Sequence, residues 1–178
     1  KFALFILASW SDEERSAQRR VYGEALEQIQ YAEELGFDSV WIAEHHSSRY
    51  GIFPSLVPIL SFVAARTSKI RIGTGVSVLP FHNPIFLAEE VAMLDLYSNG
   101  RLISGFVRGS PTETLQAGID PSENRERFEE AHDFIIKAWT TPGPWRWEGK
   151  HYQYRYVNPW MMPIQKPHPQ IWIPSTVS

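Results

Sequence analysis

Phe37-Asp38-Ser39-Val40-Trp41-Ile42-Ala43-Glu44-His45-His46-Ser47-Ser48-Arg49-Tyr50-Gly51 is the stretch on which the fold turns. Ser39 to Ala43 is short, β-branched and aromatic, and Gly36 precedes it, so it reads as a strand. The strand runs out into three ionisable residues, Glu44, His45 and His46, then polar loop residues and Gly51. A buried strand that delivers an acid and two imidazoles at its C-terminal end is how α/β folds present chemistry.

On either side of that stretch, strand and helix patterns alternate. Phe2 to Leu7 is an apolar run of strand length; Lys1 leaves almost no lead-in, so an initiator Met is expected to have been lost. Ser11 and Glu14 have capping-box spacing, and Val21, Ala25, Ile29, Ala32 and Leu35 recur at helical spacing up to Gly36. Pro54 and Ser55 lead into a second helix that runs to about Arg66. Ile70 to Val78, rich in Val and Ile, predicts one strand with Gly73 and Gly75 inside it. Asn83-Pro84 starts a helix with Leu87, Val91 and Leu94 on its apolar face, and Ser98-Asn99-Gly100 ends it. Leu102 to Val107 is a fourth strand, ending in Arg108-Gly109-Ser110-Pro111. A fourth helix runs through Phe128, Ala131, Ile135 and Trp139 and stops near Pro142-Gly143.

Then the alternation changes. Trp145 to Val157 alternates aromatic and polar residues around Glu148-Gly149-Lys150, the pattern of a β-hairpin. A Pro-rich connector, Pro159 to Pro169, leads to a last strand, Gln170 to Ile173.

Strands that start near residues 39, 70 and 102 lie 31 and 32 residues apart, one βα unit each. Repeated βα units mean parallel strands with right-handed crossovers, hence a TIM barrel or a doubly wound sheet. Gly73-Thr74-Gly75 is followed by more strand, Val76-Ser77-Val78, so the dinucleotide-binding fingerprint fails and the (β/α)8-barrel is favoured. Such a barrel needs eight strands and about 250 residues. Five are read here, so residues 1–178 are expected to be a single domain forming the N-terminal part of a barrel, with a hairpin insertion at about 144–168.

Composition bounds the chemistry. With 178 residues, 43% hydrophobic and 21% charged, the chain is expected to be globular. A net charge of −3 gives no electrostatic reason to expect nucleic acid as a partner. No apolar run is long enough to span a bilayer, and no signal peptide is read. Cysteine is absent, which excludes disulfides and thiolate metal sites and makes a reducing cytoplasm the default. Seven Trp, seven Tyr and ten Phe suit either a large core or aromatic walls around a planar ligand.

An ordered set of motifs then resembles a known family. It comprises Gly36 to His46 with Tyr50-Gly51, Ala65-Arg66-Thr67, Ile70 to Val76, Val78 to Pro84, and Ala88 to Val91 with Leu94-Asp95. It continues through Ser98 to Arg101, Val107-Arg108-Gly109, Arg127 to Glu130 and Pro167 to Trp172. Together these cover nearly the whole chain and resemble the bacterial luciferase-like flavin monooxygenases. The resemblance implies a TIM barrel, reduced FMN, O₂ as oxidant and a flavin C4a-peroxide that oxidises a small organic substrate. A homo- or hetero-dimer is expected as well. No dedicated NAD(P)H fingerprint stands at the strand ends, so a separate flavin reductase is expected. Two alternatives stay open: a deazaflavin-dependent dehydrogenase of the same superfamily, and a non-catalytic barrel subunit.

The resemblance also assigns residues. His45 matches the family's active-site histidine, suited to exchanging protons near neutral pH. Adjacent residues on extended backbone point opposite ways, so His46 is expected to be structural or outward, and no metal site is expected. Glu44 lies at the barrel mouth, near the flavin or paired with an arginine such as Arg71. Thr74-Gly75-Val76 matches a segment beside the isoalloxazine ring, which in some members contains a non-prolyl cis peptide. Arg108 matches an arginine for the FMN phosphate, with Ser175 and Thr176 adding hydroxyls; the family often has an acid followed by Ser there, and this chain departs from that. In His82-Asn83, Asn83 is read as a helix cap. Trp145, Trp147, Tyr152, Tyr154 and Tyr156 are expected to fasten the insertion to the barrel.

Overall fold

A computed structural model of the chain describes residues 1–9 and 16–174. The expected capping pair Ser11 and Glu14 lies outside the described residues. The strands are β1 (Ala3–Ile6), β2 (Ser39–Ile42), β3 (Arg71–Thr74), β4 (Ser77–Val78), β5 (Leu102–Val107), β6 (Trp145–Glu148), β7 (Gln153–Val157) and β8 (Gln170–Trp172). The helices are α1 (Ser16–Glu34), α2 (Leu56–Arg66), α3 (Pro84–Tyr97), α4 (Pro111–Gln116) and α5 (Asn124–Thr140).

β1, β2, β3, β5 and β8 lie side by side in sequence order, and every pairing among them is parallel. A doubly wound sheet reverses its strand order at a switch point. This one does not, so it is an arc of barrel wall. Val40, Ile42 and Ile72 pack outward against Ile29, Leu60, Val63 and Val91 of the helices, and all are fully buried. Alternate residues face the other way. Phe5, Trp41 and Trp172 lie on this inner face, and the two indoles sit 4.9 Å apart, centre to centre. Among the described residues no helix is long and apolar enough to cross a membrane.

The single strand expected over Ile70 to Val78 is two. β3 pairs with the first half of β5 and β4 with the second, and a cis Gly75–Val76 peptide lies between them. Where the ladder skips, the Thr74 side chain takes over. Its hydroxyl donates to Gly105 O at 2.8 Å and accepts from Gly105 N at 2.6 Å. Both backbone groups are thereby paired inside the barrel wall.

At the opposite end, Arg101 ties three elements together. Its guanidinium donates to Ala64 O, Thr67 O and Ile70 O, to Thr67 Oγ1, and through Nε to Ser98 O, all within 2.8–3.0 Å. These satisfy carbonyls left over at the ends of α2 and α3.

The hairpin forms as β6 and β7. Trp145, Trp147 and Tyr154 surround Phe134 of α5 at ring distances of 5.4, 5.3 and 5.1 Å. Glu130 accepts from Trp147 Nε1 and from the backbone of His151 and Tyr152. The Tyr154 hydroxyl donates to Asn83 Oδ1 at 2.8 Å, while burial pushes its pKa up to about 12. Asn83 is at once the cap of α3, accepting from Ile85 N. Tyr156 is 67% exposed and takes no part in this packing. Cis prolyl bonds at Gly143–Pro144 and Lys166–Pro167 stand at the two ends of the insertion.

Candidate active site

Parallel strands open their C-terminal ends on one side of the arc. Glu44, His45, Gly75, Val76, Gly109 and Glu113 line a cavity of about 310 Å³ there. Phe5, Leu7, Val78 and Val107 make its other walls largely apolar. Four of the residues picked from sequence, Glu44, His45, Gly75 and Val76, are therefore brought together. Thr74 is not among the lining residues: it is fully buried, and its hydroxyl is committed to Gly105. Arg108 is exposed beside Gly109 and Ser110, which do line the cavity. Its carbonyl accepts from Asn124 Nδ2 at 3.0 Å. Ser175 and Thr176 lie outside the described residues.

The loop after β2 closes tightly around His45. Its backbone N–H donates to Phe53 O, and Ile52 N–H donates to Ala8 O. Gly51 accepts a left-handed φ of +66°, and a Cβ built on it would meet His45 Cδ2 at 2.3 Å. The imidazole thus rests directly on the Gly51 backbone. Its far side is fixed by Glu113, whose Oε1 lies 3.1 Å from His45 Nδ1 and accepts from His46 N at 3.1 Å. Ser110 Oγ donates to the other oxygen of Glu113 at 2.7 Å. Burial alone would raise the Glu113 pKa, but the bonds from Ser110, His46 N and His45 outweigh it and hold the carboxyl below its usual range. An ionised Glu113 only accepts, so His45 Nδ1 carries the proton in that bond. In that tautomer Nε2 carries the ring's lone pair, placed to act as a base.

His46 turns the other way. Its Nε2 donates to Glu44 Oε1 at 2.9 Å, and its ring meets Phe81 edge-on at 5.6 Å. His82 Nε2 donates to the same oxygen at 2.8 Å. Burial opposes ionisation of Glu44, yet the two imidazole bonds outweigh it and lower its pKa. The bond to Glu44 raises the His46 pKa against burial. Glu44 Oε2 is buried with no hydrogen-bond partner among the described residues.

The expected Glu44–Arg71 pair does not form. Ser39 pairs with Arg71 in register, and Glu44 lies five residues further along, about 16 Å at strand rise. Arg71 instead donates to Gln170 Oε1 at 3.0 Å. Two partners were missed from sequence. Glu113 had a signal: Ser110-Pro111-Thr112-Glu113 has capping-box spacing with Pro at the first helical position, and Ser110 caps α4 by accepting from Glu113 N. His82 had none, since nothing local links it to Glu44, 38 residues away. Among the described residues no group of His, Asp or Glu is arranged to hold a metal ion.

Known proteins match both the sequence and the fold. The sequence matches the family profile described as luciferase-like monooxygenase over residues 1–176. It is 33% identical to the oxygenase component of flavin-dependent trigonelline monooxygenase from Acinetobacter baylyi, over 97% of this chain and 48% of that protein. The crystal structure of monooxygenase RslO1 from Streptomyces bottropensis superposes with a TM-score of 0.90 at 34% identity, covering 97% of this chain and 53% of that one. The oxygenating constituent of 3,6-diketocamphane monooxygenase from Pseudomonas putida, solved with FMN, superposes at 0.87 and 20% identity, over 97% and 50% of the two chains; at that identity the likeness shows the fold. The chain spans about half the length of these relatives.

Proposed function

The chain belongs to the luciferase-like monooxygenase family, and on that premise we propose that it forms the flavin side of an oxygenase that uses reduced FMN and O₂ to oxidise a small organic substrate. The observation that carries the proposal is the single cavity onto which Glu44, His45 with Glu113, and Gly75–Val76 converge. Bound reduced FMN would supply two electrons to O₂, so that one oxygen atom enters the substrate and the other leaves as water.

The residues present fit such a group. The cavity is a mostly apolar space walled by Phe5, Leu7, Val78 and Val107, suited to a flat ring. Gly75 and Val76 bring bare backbone to its edge. Glu44 Oε2, a buried acceptor without a donor among the described residues, suits a ring edge that carries N–H groups. Arg108 makes no ion pair with any described residue, and its guanidinium fork suits a phosphate at the cavity rim. His45, with Nδ1 held by Glu113, would take or return protons at Nε2. The apolar walls would keep water from the reacting atoms. The Acinetobacter relative is called an oxygenase component, which supports a separate reductase as the source of reduced flavin here too.

Anaerobic titration of the whole protein with reduced FMN should saturate at one flavin per site. On mixing with O₂, the bound flavin should return to its oxidised absorbance with kinetics unlike those of free flavin. Reoxidation indistinguishable from free flavin at every protein concentration overturns the proposal.

A further inference from the structure

His45 has a second side. Besides the 310 Å³ cavity, it lines a separate pocket of about 600 Å³ between the start of α1 and the loop after β2. Gln18, Ser47, Ser48 and Arg49 give this pocket its polar wall, and Ile52 lies on its apolar side. Among the described residues no carboxylate lines it. The Arg49 guanidinium makes no hydrogen bond or ion pair with any described residue. The backbone around Arg49 is held: Ser47 turns the chain with a φ of 52°, and Ser48 Oγ accepts from Tyr50 N at 3.0 Å.

A guanidinium unpaired among the described residues, in a concavity whose described lining offers hydroxyl and amide donors and no acid, attracts an anion. The volume is that of a site for an organic molecule, within the usual range of roughly 300–1,000 Å³. The flat fork of arginine matches a carboxylate with two parallel bonds. We propose that this outer pocket is a binding subsite for the carboxylate of an organic substrate, with Arg49 as its cation and His45 as the wall it shares with the inner cavity. The inference deepens the oxygenase proposal and rests on it for the word substrate. Recognition on the outer side of His45 would leave the inner cavity to the flavin.

The test uses the whole protein and a panel of carboxylates from butyrate through benzoate to naphthoate, each paired with its neutral amide. Equilibrium dialysis gives affinity, and the His45 ring resonance reports on the shared wall. At least one carboxylate should bind saturably and move that resonance, and its amide should not. Arg49→Gln should weaken the carboxylate about tenfold to a hundredfold, the scale of one charge-assisted contact, with Arg49→Lys between the two. FMN affinity should be the same in all three proteins. The proposal is overturned by no saturable binding across the panel, by equal binding by Arg49→Gln, or by equal binding of acid and amide. Loss of FMN affinity in Arg49→Gln also overturns it, because Arg49 would then serve the flavin phosphate. Arg49-dependent carboxylate binding in a protein that binds no FMN would keep the subsite and sink only the oxygenase proposal.

Discussion

Replacing Gly51 by alanine should displace His45 without unfolding the protein. Two costs add. The backbone at Gly51 has φ +66°, where an L side chain costs about 1–2 kcal/mol. A Cβ there would also lie 2.3 Å from His45 Cδ2, closer than carbon atoms approach, and 3.0 Å from Leu7 Cδ1, a tight contact. The imidazole has to turn away and give up Glu113. That charge-assisted bond is worth about 1.5 kcal/mol, the low end of its range, because the His45 side chain is 32% exposed and screened by solvent. Gly51→Ala should therefore lose roughly 2.5–3.5 kcal/mol in all.

Gly118 supplies the control. It too has a left-handed φ, +71°, but a Cβ there meets nothing within 4 Å. Gly118→Ala should thus show the backbone term alone, about 1–2 kcal/mol. Urea unfolding gives both values by linear extrapolation, and the His45 ring resonance shows which variant moves the imidazole. Turnover should collapse in Gly51→Ala and persist in Gly118→Ala. Equal destabilisation of the two variants with an unmoved His45 resonance would refute the idea that Gly51 is the seat of the imidazole.

Glu113→Gln keeps the shape and removes the charge facing His45 and His46 N; kcat should fall about tenfold to a hundredfold with KM little changed, and an unaltered kcat would remove Glu113 from any role in orienting His45. Arg101→Lys replaces a five-bond fork by a single ammonium and should cost about 2–4 kcal/mol in urea unfolding, while turnover at low temperature stays normal. Stability should also peak in mildly acidic solution through the Glu44–His46 pair. The lowered Glu44 pKa means its contribution is lost as pH falls through the folded value, after full strength above the unfolded one. The raised His46 pKa means its contribution is complete below the unfolded value of about 6.5 and fades as pH rises through the folded one. His46→Gln should flatten the alkaline limb of the urea profile, and an unchanged limb would show that the pair adds no stability.

The strand ends were legible because their signal is local. Val40 and Ile42 face the helices and Trp41 the barrel interior, so a few residues of pattern locate the strand and the point where Glu44 and His45 emerge. The split between β3 and β4 was not legible, because Ile70 to Val78 keeps strand composition throughout. The break falls where Thr74 pairs through its side chain with Gly105 on the neighbouring strand β5, 31 residues away in sequence. The carboxylate partners were hidden for the same reason. His45 and Glu113 stand 68 residues apart, and only the closing of the arc brings the loop after β2 and helix α4 close enough for their side chains to meet at 3.1 Å. The pairing of Glu44 with Arg71 failed on direction alone: in a parallel arc, the start of one strand never meets the end of its neighbour.

Those hidden ties decide how the site behaves as a unit. His45 and His46 are consecutive, yet their rings go to different carboxylates, one supplied after β5 and one at the end of β2 itself. Glu113 grips both residues, the first by its ring and the second by its backbone. Glu44 in turn gathers His46 and His82, the residue just past the turn after β4. Three strand ends therefore hold one another through side chains, where no backbone ladder reaches. A single imidazole placed by local loop geometry alone would keep the rotamer freedom of an exposed loop. One seated on Gly51, tied to Glu113 and flanked by an anchored His46 has little of that freedom left to lose when a ligand arrives. That is the physical case for the base proposed at His45: Gly51, Glu113 and the anchored His46 together over-determine where its ring lies.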